Sequence, residues 1–137
     1  MKKLMKKLLI ILLILFFAVP AMAEIPFYNA NQVTLGWNEV TTDVDGDAVP
    51  GISYKVYLVN AVTDPNKINP AVVAEPTTNQ VILTLSKGKF FVGVSAVYLG
   101  NESGITWADT QDTSEGAEQF GLRFAVPPKD PKNIVRQ

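Results

Sequence analysis

The 137-residue chain contains no histidine and no cysteine. Without them it cannot build a Ser-His-Asp or Cys-His nucleophilic pair, and it lacks the usual zinc ligands. The missing cysteine also excludes disulfides and a lipid anchor through a Cys side chain, so stability must come from the core. Helical periodicity is almost absent, and no internal repeat is visible. SKGK, Ser86 to Lys89, lacks the glycine spacing of a phosphate loop. Carboxylates could still serve a glycosidase as a pair. However, Glu39, Asp43, Asp45, Asp47 and Glu102 fall at expected strand ends or loops, where solvated acids are ordinary. The sequence therefore reads as non-enzymatic and cofactor-free.

What is present begins with a leader. MKKLMKK carries four lysines and no acid, LLIILLILFFAV is an apolar run of 12 residues from Leu8 to Val19, and Ala21-Met22-Ala23 is a small-x-small pattern. A spanning helix needs about 20 apolar residues, so this order predicts a secretory signal over residues 1–23, with cleavage before Glu24. The 12 Lys and Arg and 13 Asp and Glu of the whole chain then become eight cations against 13 acids, a net charge of −5. An acidic exported chain gains nothing from phosphate attraction, so nucleic acid is excluded as a partner and the membrane matters only during export. The expected location is secreted, periplasmic or at the cell surface.

After the leader the dominant period is two. Val33, Leu35 and Trp37 share one face of QVTLGW, and in ISYKVYLV Tyr54, Val56 and Leu58 alternate with Ser53, Lys55 and Tyr57. NQVILTL aligns Val81, Leu83 and Leu85; KFFVGVSAV aligns Phe90, Val92, Val94 and Ala96. Successive strand side chains face opposite sides, so each run implies one buried face. DGDAVPG, TDPNKINP, SKGK and GNESG supply the Gly, Pro, Asn and Asp that reversals need. Short strands at this spacing predict an all-β sandwich. FGLRF, with Phe120, Leu122 and Phe124 on one face, predicts a further strand after the polar loop TQDTSEGAEQ. The end, VPPKDPKNIVRQ, predicts an extended Pro-rich tail over 127–137, because proline fixes φ and lacks a donor.

DVDGDAVPG raises calcium, since Asp43, Asp45 and Asp47 are closely spaced oxygen donors beside a glycine. An EF-hand-type loop puts glycine sixth and a bidentate Glu twelfth, whereas here Gly46 is fourth from Asp43 and Tyr54 is twelfth. The pattern fails, and the stretch is expected to be a solvated inter-strand loop with Asp43, Asp45 and Asp47 as a weak calcium candidate. Asn101-Glu102-Ser103 matches a glycosylation acceptor but reads as a turn, because the lysine-rich leader has a bacterial character. Tyr57 and Tyr98 are expected on the face opposite the core, and with Phe120 and Phe124 they are the candidate contact residues. Trp107 is expected in the core of the last strand or at its edge.

Several of these features occur in order: VTLGW with Trp37, a DG loop, Tyr54-Lys55-Val56-Tyr57, then Leu85, Gly88, Phe90, Val92, Val94, Ala96 and Val97, then GNESG. Over Asn31 to Asp109 this resembles a fibronectin type III domain. The resemblance implies a fibronectin type III or immunoglobulin-like β-sandwich of about seven antiparallel strands over residues 24–126, in a class of modules used for adhesion and spacing. Phe90 stands where such domains usually carry a corner tyrosine, which removes that hydrogen bond. No Arg-Gly-Asp is present, so integrin recognition does not carry over. Three functions follow as expectations: an exported module that contacts a protein or cell-surface partner, itself included; a structural subunit assembled through its tail or an edge strand; and a carbohydrate-binding module using Tyr57 or Tyr98.

Overall fold

A computed structural model describes residues 24–110 and 118–125. The leader, most of the TQDTSEGAEQ loop and the Pro-rich tail lie outside the described residues. Within them the chain is all-β with no helix and forms nine strands: β1 (Phe27–Asn29), β2 (Gln32–Gly36), β3 (Ser53–Asn60), β4 (Ala71–Ala74), β5 (Gln80–Thr84), β6 (Gly88–Tyr98), β7 (Asn101–Glu102), β8 (Thr106–Trp107) and β9 (Gly121–Phe124). β6, the longest at 11 residues, organises the larger sheet. Its Phe, Val and Tyr content suits a pleated surface, and both of its faces are covered. β3 pairs along one edge of β6 from Ser53↔Val97 to Asn60↔Phe90, and β4 pairs beyond β3. The other edge is tiled in succession by β7, β8 and β9. β2 and β5 form a separate antiparallel pair.

Two features differ from a seven-stranded antiparallel expectation. β1 runs parallel to β9, with Phe27 opposite Gly121 and Asn29 opposite Arg123. The last strand is also split. Ala108 donates its N–H to the Val92 carbonyl, and Phe120 donates to the Ala108 carbonyl at 2.8 Å, so the chain departs after Ala108 and re-enters beside it. The FGLRF segment then runs along β6 as β9.

The seven-stranded and two-stranded sheets enclose one core, an arrangement consistent with a β-sandwich. Leu35, Leu83 and Leu85 come from the β2–β5 side; Val56, Val92 and Leu122 come from the larger sheet. Burying an aliphatic side chain of this size contributes about 1.5–3 kcal/mol, so these residues dominate the fold. Tyr54, also buried, closes the end of this core: its ring meets Trp37 edge-on at 5.2 Å, and its hydroxyl accepts the Val40 N–H at 3.0 Å.

The strand directions define two ends. The β2–β3 loop and the tight β6–β7 turn at Leu99-Gly100 lie where β3 begins, as does Glu75, because the Tyr54 N–H reaches the Pro76 carbonyl. At the opposite end the β3–β4 loop, the β5–β6 connection and the end of β9 are joined by Ala61 N–H to Lys89 O and by Ala30 N–H to Arg123 O. The β3–β4 loop is internally braced. Asn60 accepts the Val62 and Thr63 N–H groups through Oδ1, and Asp64 accepts those of Ile68 and Asn69.

Candidate functional site

The aspartate loop is built by its own side chain. Asp43 Oδ1 accepts the N–H groups of Asp45 at 3.0 Å and Asp47 at 2.9 Å, while the Asp43 N–H reaches the Asp47 carbonyl. Gly46 supplies φ +88°, a left-handed conformation that glycine adopts without steric cost. The first aspartate thus serves as a turn acceptor, and among the described residues no three acids are grouped to hold a metal.

The candidate aromatics are placed differently from expectation. Tyr57 stands on the outer face, as its parity requires, yet it is 8% exposed. The cause is β7: its register puts Glu102 opposite Val97, on the same outer row as Ser95, Lys55 and Tyr57. Tyr57 donates its hydroxyl to Glu102 Oε1, Ser95 Oγ donates to the same oxygen at 2.6 Å, and Lys55 Nζ reaches Oε2 at 2.8 Å. Tyr57 is therefore unavailable as a stacking platform. Tyr98 shares the parity of Phe90, Val92 and Val94, so alternation turns it to the core face rather than the outer one, and it is half-buried at the end of β6 opposite Asn101. Phe120 and Phe124 are half-buried and pack against the core, Phe120 meeting Tyr28 edge-on at 5.8 Å.

Glu102 is the acid that sequence reasoning undervalued. Hydrogen bonds from Lys55, then Ser95 and Tyr57, stabilise its anion and draw its pKa down to about 2. The same contact raises Lys55, whose ammonium is held by the carboxylate. It also raises Tyr57, whose phenol must stay protonated to donate beside a negative charge. A carboxylate so held is a poor proton carrier near neutral pH, because catalytic acids and bases need a pKa close to the working pH. Its signal was the two-residue step from Lys55 to Tyr57, but a contact 45 residues away in sequence only becomes visible with register.

Further along the outer face lies a second charged pair. Lys67, from the β3–β4 loop, meets Asp109 at 2.6 Å, and its Nζ sits 4.7 Å from the Phe91 ring centroid and 5.5 Å from that of Trp107. Lys67 adopts φ +56° to reach this position. Asp109 is 7% exposed and its Oδ1 has no hydrogen-bond partner among the described residues, so the lysine provides its main compensation. Trp107 is on this outer face, not in the core, because it pairs with outward-facing Gly93. A Cβ at Gly93 would meet Trp107 Cε3 at 2.8 Å and Ile105 Cγ2 at 2.5 Å; the absent side chain is what lets the indole lie against the sheet.

Between β2 and the β6–β8 side the layers leave an open cleft of about 560 Å³, bordered by Trp37, Val94, Ala108 and Phe120. Trp37 Nε1 is buried without a hydrogen-bond partner among the described residues. Beyond this cleft the described surface offers exposed aliphatic residues at both ends, Val44 and Leu99 at one and Val62 and Ile68 at the other. No known protein-family model matches this chain, and no curated protein matches it.

Proposed function

We propose that this chain is a non-catalytic, exported β-sandwich module of fibronectin type III-like or immunoglobulin-like type that mediates protein or surface interaction at or outside the cell envelope. The observation that carries the reading is how the polar groups are used. Glu102 is held by three donors, Asp109 by Lys67, and Asp43 by backbone N–H groups. With histidine and cysteine missing as well, the chemistry-bearing groups serve architecture, while the aliphatic loop tips stay exposed. The basic-apolar-small leader supports export. Fractionation of producing cells followed by intact-mass measurement tests this: the expected species starts at Glu24 and leaves with the envelope or medium. A cytoplasmic species retaining residues 1–23 would overturn it.

A second reading, a structural subunit, draws support from β2. Among the described residues it has one neighbour, β5, and Trp37 and Asn31 direct their backbone bonds to Asn79 and Leu85 on that side. Alternation therefore points the N–H and C=O groups of Gln32, Thr34 and Gly36 away from β5, leaving an edge suited to strand addition. The tail version of this reading concerns residues outside the described ones. It is tested by deleting Pro127–Gln137, and an unchanged oligomer size in light scattering would sink it.

A further inference from the structure

Among the described residues the two ends of the module carry opposite charge. Around the β2–β3 loop and the β6–β7 turn lie Glu39, Asp45, Asp47 and Glu75, all exposed, with the fully exposed Val44 and the 83% exposed Leu99 at the tips. Lys55, the cation nearest in sequence to this loop, is bound to Glu102. The opposite end carries Lys87, Lys89 and Arg123, also exposed, beside Val62 and Ile68 at 70% and 72% exposure. None of these three cations takes part in either ion pair found among the described residues. Asp64, the acid of that end among the described residues, is occupied in bracing its own loop.

Two details show that these ends are not neutral decoration. Lys89 and Arg123 are direct cross-strand partners, and like charges placed opposite each other are destabilising in the isolated molecule, a cost that the Lys89 Nζ offsets only through the Phe27 ring 5.1 Å away. Leu99 holds φ +48° at an exposed turn, where a non-glycine residue is strained and an apolar tip gains nothing from water. Contact of the basic end with an anionic surface offsets the repulsion, and contact of the Leu99 side chain with an apolar surface removes it from water, while the backbone strain stays as the cost of presenting that tip.

We propose that the partner is a second copy of this chain, joined head to tail, with the acidic, Val44- and Leu99-bearing end of one copy against the basic, Val62- and Ile68-bearing end of the next. Each end combines charge with exposed aliphatic side chains, and the charge signs are complementary. Complementary potentials steer encounter and fix orientation, and the aliphatic tips supply apolar burial. Such a contact uses two different surfaces and is heterologous. It propagates into strings unless the rotation between copies closes a ring. The proposal deepens the interaction-module reading, on which it rests, by naming the partner and the surfaces.

Charge exchange tests it. Wild type and two variants are expressed from the full sequence, purified as the cell delivers them, and compared by sedimentation velocity at low and high salt. The variant Lys87→Glu, Lys89→Glu, Arg123→Glu has two acidic ends; the variant Glu39→Lys, Asp45→Lys, Asp47→Lys has two basic ends and keeps the turn-forming Asp43. Wild type is expected to associate with concentration and to weaken as salt rises. Each variant alone should associate at least about tenfold more weakly, and an equimolar mixture of the two should recover assembly. Leu99→Gly adds a readout with opposite signs, since removing the φ strain should hold or raise the melting temperature while association falls. A monomeric wild type, variants that assemble like wild type, or a mixture that stays monomeric would each overturn the proposal. Envelope retention is scored in parallel: a monomeric chain still held there would sink self-association and leave the module reading standing.

Discussion

The two faces of the seven-stranded sheet are made from alternate residues of the same strands and solve opposite problems. On the inner face Val56, Val92 and Leu122 meet Leu35, Leu83 and Leu85, and the contact is apolar throughout. The outer face has no second sheet above it. It is covered instead by the β3–β4 loop and by β7, which bring Lys67 and Glu102 onto Asp109, Tyr57, Lys55 and Ser95. Non-directional burial stabilises one face; directed pairs hold the other, and each pair ties a loop or short strand to the sheet.

The largest loss is expected on the inner face. Leu122→Ala removes a side chain 1% exposed and should cost about 3 kcal/mol in urea unfolding, since transfer and cavity terms add. Lys67→Ala comes next, at about 2 kcal/mol, because it strands the buried Asp109 carboxylate. Lys55→Ala, at a pair whose side chains are 32% and 29% exposed, should cost less. If the two lysine substitutions cost the same, the distinction between a buried and a solvated pair on this face fails.

Gly93→Ala should cost about 1–3 kcal/mol, as its Cβ would drive Trp107 and Ile105 off the sheet. A blue or red shift in tryptophan emission would accompany the loss, and an unshifted spectrum with full stability would show that the indole does not lean there.

The polar hub predicts a pH dependence that the apolar face cannot have. Glu102 is lowered from 4.5 to about 2, so its contribution is complete above its unfolded value and disappears as pH falls from about 4.5 through about 2. Lys55 and Tyr57 are raised, so their contributions hold below 10.5 and 10.0 and fade as pH rises beyond those values. Glu102→Gln should flatten the acid limb of melting temperature against pH; an identical limb would assign it to other groups. The smallest effect belongs to the aspartate loop. Asp43→Ala loses two exposed side-chain-to-backbone bonds, at about 1 kcal/mol, and added calcium should leave the wild-type melting temperature unchanged.

Most strand positions and their inward residues were legible because period-two alternation is local: Leu35, Val56, Leu83 and Val92 were each assigned to the buried face by parity alone, and FGLRF was recognised as a strand. Parity also placed Tyr57 on the outer face correctly, but it says nothing about whether that face is covered. Trp107 shows the converse. Its residue type suggested the core, whereas its register against Gly93 turns it outward. Glu102 looked like a solvated turn residue because its three donors are 7, 45 and 47 residues away.

The sequence by itself determined the leader-like N-terminus, the exclusion of histidine and thiol chemistry, and the alternation that makes the chain all-β, since each depends on residue identity or nearest neighbours. Only the tertiary structure decided that β1 runs parallel to β9, that the last strand is split, that Glu102 and Asp109 are paired rather than solvated, and that acidic and basic residues gather at opposite ends. Those outcomes depend on which distant strands become neighbours, and strand pairing is a long-range choice that a one-dimensional pattern constrains but does not make.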